Sequence, residues 1–243
     1  MRFRALNAFW KNAIFMLRCG ANLHMVAVHY KAVSEEEAIS RQCNNIFVEQ
    51  YRRLAATKQF SEDWFSGNIP HWLRAFDKVG FNRADNLKVL EIGSFQGRSA
   101  LFFAEYFPNS KIDCVDTWAG SDEHAENDAV SELRNVFEQN LKGYSNVRMH
   151  LMASSEYFLN SNLENYDIIY VDGSHRAVDV LLDIVSSFYR LRNGGLLMLD
   201  DYLWKHYGTV DKNPCVAINA FYKIFEKEFE VLRFGYQVYL RKL

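Results

Sequence analysis

From residue 87 to residue 201 the sequence repeats one alternation that few folds accommodate. Short apolar runs, "LKVLEIG", "KIDCVDT", "NVRMHLMA", "YDIIYVDG" and "GGLLMLDDY", are separated by stretches with helical spacing. Helices are expected over 99–107, through Val130, Leu133, Val136, Phe137 and Leu141, and over 177–192, where Val178, Leu181, Val185 and Phe188 share a face. Strands alternating with such helices read as a parallel sheet covered on both sides, wound by right-handed crossovers. The end departs from this pattern. After a helix expected over 214–228, "FEVLRFGYQVYLRKL" holds two strands joined only through Phe234-Gly235, and so tight a connection links antiparallel neighbours. The fold class is therefore α/β: a doubly wound, Rossmann-like, seven-stranded and mainly parallel sheet with an antiparallel hairpin at its end. That ending is not the usual plan of nicotinamide-binding folds.

Ahead of the first strand the pattern is helical. Cys43, Ile46, Phe47 and Leu54 mark a helix over about 39–57. A second is expected from Pro70 to Gly80, burying Trp72, Leu73, Phe76 and Val79. Residues 1–84 read as a helical cap on a domain spanning 85–243. The opening "MRFRALNAFWKNAIFMLRCG" carries four basic residues, and the first acid of the chain is Glu35. Phe3, Leu6, Trp10, Ala13 and Leu17 form one apolar stripe, with Arg4, Lys11 and Arg18 along a neighbouring one. Such a helix can lie on an anionic membrane, pack on a second subunit, or cover its own domain. Stripes of this kind are ordinarily core, so self-packing or homo-oligomer packing is the expectation, and peripheral membrane contact through residues 1–20 the alternative.

A net charge of −2 gives no general attraction for nucleic acid. Cys19, Cys43, Cys114 and Cys215 are scattered without a CxxC pair, which suits reduced thiols and a cytoplasmic setting. No apolar run has the length of a membrane span, and no small-residue cleavage site follows the N-terminal helix, so a cleaved leader is not expected.

Two strand ends carry the chemistry. In "VLEIGSFQGRSA", Glu91 lies in the first strand and Gly93 and Gly97 in the turn to the next helix. Glycines there let a ligand approach the backbone, and the helix N-terminus offers free N–H groups. Asp116, nineteen residues after Gly97, ends the second strand where a carboxylate can accept ribose hydroxyls. The G-x-G-x-x-G spacing is absent, which favours a nucleoside without phosphates. The fourth strand ends at Asp172, with His175 three residues on, and the fifth in Asp200-Asp201. Neighbouring strands would crowd three carboxylates on one rim, where a cation or a shared proton must offset their repulsion. An all-oxygen set suits Mg2+, or Ca2+ or Mn2+, better than zinc. Alone, "DD" at a strand end reads as a cap or solvated turn. With Asp172 and His175 one rim collects all four, and His175 beside a cation-held hydroxyl is placed to take its proton.

Together "VLEIGSFQGRSALFFAE", "VDTWAGSDEH", "IIYVDGSHRAVDVLLDI" and "LRNGGLLMLDDYLW" resemble class I S-adenosylmethionine-dependent methyltransferases, most of all the metal-dependent sugar O-methyltransferases related to macrocin O-methyltransferase. The likeness covers most of 86–243; a weaker one links "GANLHMVAVHYKAVSEEEAI" to a segment ahead of such domains in surface-glycan clusters. The resemblance implies that Glu91, Gly93, Ser94 and Gly97 line the methionine and ribose end of S-adenosylmethionine, with Ser99 reaching its carboxylate. Asp116 would hold the ribose, Thr117 and Trp118 would flank the adenosine, and Ser154 would lie at the adenine. It further implies Asp172, Asp200 and Asp201 as metal ligands, His175 as general base, and a sugar or related small-molecule or glycan acceptor. Tyr202, Trp204 and His206 follow the metal strand as candidate acceptor contacts, and His29 and Tyr30 as residues closing the pocket from the cap. His24, His71, His124 and His150 are taken as structural. Two other readings stay open: an NAD-dependent oxidoreductase, and a non-catalytic S-adenosylmethionine-binding scaffold.

Overall fold

The computed structural model describes residues 3–42, 46–120, 132–159 and 165–243. Cys43, His124 and Val130 fall outside them. Among the described residues the chain forms α1 (Phe3–Arg18), α2 (Leu23–Gln42), α3 (Ile46–Ala55) and α4 (Ile69–Val79), then β1 (Lys88–Ile92), α5 (Arg98–Tyr106), β2 (Lys111–Asp116), α6 (Leu133–Asn140), β3 (Val147–Leu151) and α7 (Ser154–Phe158). It continues through β4 (Tyr166–Val171), α8 (Ala177–Arg190), β5 (Leu191–Leu199), α9 (Pro214–Phe225), β6 (Phe229–Phe234) and β7 (Val238–Lys242). The seven strands form one sheet in the order β3-β2-β1-β4-β5-β7-β6. The first five are parallel, and β7 runs antiparallel to both β5 and β6. The expected α/β sheet with its reversed end is thus the fold.

Strand alternation sorts the core into two layers. Val89, Ile112, Ile168, Tyr170, Met198 and Tyr239 face α3, α4 and α5, where Trp72, Phe76, Phe102 and Phe103 interlock. Leu90, Val115, Ile169, Val171, Leu197 and Leu240 face the other way, onto α8, α9 and the buried side of α1. The N-terminal helices divide between these layers. Two join the first layer and two the second, completing the cover of both faces.

Two stripes differ from expectation. On α8 the buried line is Ala177, Val180, Ile184 and Phe188, whereas Val178 is exposed. On α1 the buried residues are Phe9, Ala13, Met16 and Cys19, while Leu6, Trp10 and Leu17 of the expected packing stripe face outward. The docking partner decides this: the Asn219 side-chain amide donates to the Met16 and Cys19 carbonyls, 3.5 and 3.1 Å away, tying the end of α1 to α9. Phe9 in turn stacks on His29, whose Nδ1 donates to the Phe234 carbonyl on β6. Among the described residues, no helix is long and apolar enough to cross a membrane.

Candidate active site

The β4–β5 register pairs Val171 with Leu199, so the residues that follow, Asp172 and Asp200, emerge side by side at the carboxyl edge of the sheet. The next residue breaks strand geometry. Asp201 has φ +56°, a left-handed conformation that Asp tolerates better than most side chains. Its carboxylate meets His175 Nε2 at 2.8 Å and accepts the Tyr236 hydroxyl at 2.9 Å. Asp172, His175 and Asp201 each offer one ligand atom within 4.8 Å of the others.

Asp200 does not join that trio. Its Oδ2 accepts from the Tyr170 hydroxyl and the Gln237 amide, and its Oδ1 from the Asp201 N–H. Gln237 is itself held, its carbonyl oxygen accepting from Trp72 Nε1 at 2.8 Å and from the Tyr239 hydroxyl. A buried chain of polar groups thus runs from α4 to the site. Tyr170 lies 2.7 Å from Asp172 and 2.5 Å from Asp200, yet a phenol has one proton to donate. Burial, then the charges of Asp200 and Asp201, hold the Asp172 carboxyl well above the usual range. Burial and then Asp201 push Asp200 up to about 7. The cluster is short of positive charge, which a divalent cation would supply. Asp172 and Asp201 offer it hard oxygen donors suited to Mg2+ or Mn2+, with His175 beside them.

The second half of the site lies at the ends of β1 and β2. Gly93 has φ +84°, and a Cβ there would stand 2.0 Å from the Asp172 carbonyl oxygen. The glycine is required because the β1 turn presses against the β4 end, and this contact joins the two halves. Gly97, at φ +83°, caps α5, where a Cβ would collide with Leu141 and Phe137. Asp116 accepts three backbone N–H groups, those of Ser94, Phe95 and Trp118, at 2.7–2.8 Å. Those bonds organise the turn, and a carboxylate keeps lone pairs for further donors. Glu91 is fully buried, and neither its oxygens nor the Ser94 hydroxyl has a hydrogen-bond partner of good geometry. Burial raises its carboxyl to about 7, against the pull of Ser94, Ser99 and Cys114 nearby. Orphaned polar atoms beneath a glycine turn suit a polar ligand group above them.

Glu91 has a consequence for pH. Its folded value lies above the ordinary 4.5, so the native state keeps a proton that the unfolded chain releases between pH 4.5 and about 7. Its contribution is complete at acid pH and is lost as pH rises through 7. Glu91→Gln should therefore flatten the decline in stability between pH 5.5 and 8. The gain at pH 8 should be about 2–3 kcal/mol in urea denaturation. Parallel declines in both proteins would exclude the shift.

Other expected contacts sit elsewhere. Tyr202 is fully buried, its hydroxyl donating to Asn219 and its ring packed on Phe234, so it is core and not an acceptor contact. Trp118 is also buried, donating to the Phe95 carbonyl and packing on Phe137, which removes it as an open face for adenosine. Thr117 is exposed beside it. Ser99 is buried near Glu91. Ser154 bonds Asp183 on α8, whose burial raises its carboxyl to about 6. Trp204 does reach the site, its ring 4.6 Å from His175, and His206 stacks on Trp204. Tyr30 packs edge-on against Phe9 of α1. His71 and His150 bond Glu36 and Asp113, as structural histidines do. Tyr170, Tyr236 and Gln237 were not anticipated. Only Tyr170 left a signal, two residues before Asp172 and so on the same strand face.

Residues 90–202 match a family model described as a methyltransferase domain. No curated protein sequence matches. Among solved structures, the MycE methyltransferase of the mycinamycin biosynthetic pathway, in complex with Mg, SAH and mycinamycin VI, aligns with TM-score 0.54 and 18% identity over 82% of this chain and 55% of that one. The chain thus spans about half the length of that protein. The Bacillus cereus O-methyltransferase in complex with SAH gives TM-score 0.55 and 14% identity, covering 86% and 97%. The O-methyltransferase NovP gives 0.53 and 13%, covering 72% and 78%. At these identities the likeness is one of fold.

Proposed function

From a methyltransferase domain as premise, we propose that this chain is an S-adenosylmethionine-dependent O-methyltransferase acting on a hydroxyl of a sugar or related diol, assisted by a divalent cation. Residues 85–243 would be the catalytic unit, working in the cytoplasm on a small-molecule or glycan acceptor. The observation that carries the reading is the carboxylate pair Asp172 and Asp201 with His175 beside it, joined through the Gly93 contact to a turn over the buried, unpartnered carboxyl of Glu91. MycE, which binds Mg and SAH, shares the fold and supports it.

When bound, S-adenosylmethionine supplies an electrophilic methyl group, and the cation would acidify and orient the acceptor hydroxyl. The chain supplies the rest. His175 accepts the hydroxyl proton, while Asp201, 2.8 Å from Nε2, orients the ring and stabilises its positive charge. Tyr236 donates to Asp201, and Tyr170 and Gln237 donate to Asp200, which holds the carboxylates in place. Trp204, against His175, offers an aromatic wall on which a sugar ring can rest.

Thermal unfolding with S-adenosylhomocysteine, S-adenosylmethionine or NAD(H), each with Mg2+ or EDTA, tests this without knowing the acceptor. Ligand at 100 times Kd should add about 2.7 kcal/mol to stability. A shift with the sulfur compounds alone, and an Mg2+ shift lost in Asp172→Asn, is the expected result. A shift with NAD(H) alone would point to an oxidoreductase. Binding of the sulfur compounds without turnover on any diol would favour a scaffold.

A further inference from the structure

The methyltransferase reading leaves the outward face of α1 unused. Leu6, Trp10, Ile14 and Leu17 are 37, 57, 57 and 45% exposed, although the opposite side of the same helix is core. At about 100° per residue these four lie within about 80° of one another. Lys11 and Arg18 follow on one flank, about 40–60° further round. The buried residues Phe9, Ala13 and Met16 occupy the other side. The helix therefore has three longitudinal bands: core, exposed apolar, and basic. Lys205, in the segment after β5, meets the helix on the far side of the basic band, its Nζ 4.3 Å from the Phe15 ring centroid and 3.4 Å from Asn12. In sequence, Arg2 and Arg4 extend the charge, and no acid precedes Glu35.

We propose that this face of α1 docks the protein on an anionic lipid surface, with Leu6, Trp10, Ile14 and Leu17 inserted at the headgroup boundary and Lys11 and Arg18 against the lipid charge. Charge complementarity selects this occupant. A second copy of the chain would bring the same basic band against itself around a twofold axis, since a symmetric interface pairs like patches. An interfacial helix needs the arrangement seen here, an apolar face bordered by cations. Lys205 sits in the segment that places Trp204 on His175, so the docked helix is tied to the mouth of the site.

The test is co-sedimentation of the full chain with vesicles of phosphatidylcholine alone or mixed equally with phosphatidylglycerol. The expected result is at least about tenfold stronger binding to the anionic vesicles, weakened by salt as screening requires. Trp10→Asp with Ile14→Asp should abolish it, and Lys11→Glu with Arg18→Glu should remove the preference for anionic lipid. All four positions are solvent-facing, so unchanged thermal unfolding verifies that the variants are folded. Equal recovery of the native chain in both supernatants would overturn the proposal. So would sedimentation velocity showing a dimer that Trp10→Asp dissociates. Neither result touches the methyltransferase reading, which the ligand-shift experiment decides separately.

Discussion

His175→Gln should lower kcat/KM by about 10²–10⁴-fold, the range lost with a general base, while leaving S-adenosylhomocysteine binding unchanged. Glutamine keeps a polar side chain of similar reach beside Asp201 but cannot take a proton. The measurement is release of S-adenosylhomocysteine with a catechol or a vicinal sugar diol as acceptor, across pH 6 to 9. The native enzyme should lose rate at acid pH as the imidazole becomes protonated, and the variant should lose that limb of the profile. Asp201→Asn separates orientation from proton transfer. Its amide can still bond the ring but cannot stabilise the imidazolium, so its rate should fall while the pH limb persists. A His175→Gln enzyme within about threefold of native would remove His175 as the base and leave it only a place beside the acidic pair.

The order of elements was legible because the central strands β1, β4 and the second half of β5 are buried on both faces and read as nearly unbroken apolar runs. The hairpin was legible for a different reason: two runs separated by two residues leave no room for a crossover. Helix faces were less secure. Both misread stripes belong to helices with apolar residues on more than one side, where periodicity offers two phases and tertiary packing selects between them. On α8 the chosen phase contains Ala177, small enough to be overlooked beside Val178. On α1 the chosen phase is set by Asn219, two hundred residues away, and no local pattern announces it.

The site divides in the same way. Asp172, His175, Asp200 and Asp201 stood out because chemistry-bearing residues followed apolar strands. The distinction between Asp200 and Asp201 did not, since it depends on one positive φ and on the β5–β7 pairing. Val238 lies opposite Leu199, which sets Gln237 and Tyr236 beside the two aspartates. Without that register Gln237 reads as a hairpin polar residue. With it, Gln237 becomes the link between Trp72 on α4 and the carboxylate of Asp200. Aromatic residues after β5 misled for the converse reason. Tyr202 and Trp204 are alike in sequence context, yet one returns to the core and the other covers His175.

Gly93→Ala should be the most damaging single methyl group in the molecule. Three Gly93 neighbours are backbone atoms within 2.6 Å of the added carbon: the Asp172 carbonyl oxygen and carbon, and the Gly173 Cα. No rotamer change relieves a collision with backbone, so β1 must draw away from β4 at the junction of the two half-sites. Overpacking of this kind costs about 1–3 kcal/mol or more, and the positive φ adds about 1 kcal/mol. Together they should lower Tm by about 10 °C and abolish the shift induced by S-adenosylhomocysteine. Gly143→Ala is the control. Its φ is +97°, but a Cβ there would meet nothing within 4 Å. It bears the conformational strain without the collision, and should cost about 1 kcal/mol with ligand binding intact. If the two variants melt together, conformational strain alone explains Gly93 and the close approach of β1 to Asp172 is not what joins the halves. If only Gly93→Ala loses the ligand shift, the contact is both structural and functional, because the same displacement that relieves the clash moves the turn off Asp116 and draws Asp172 away from His175 and Asp201.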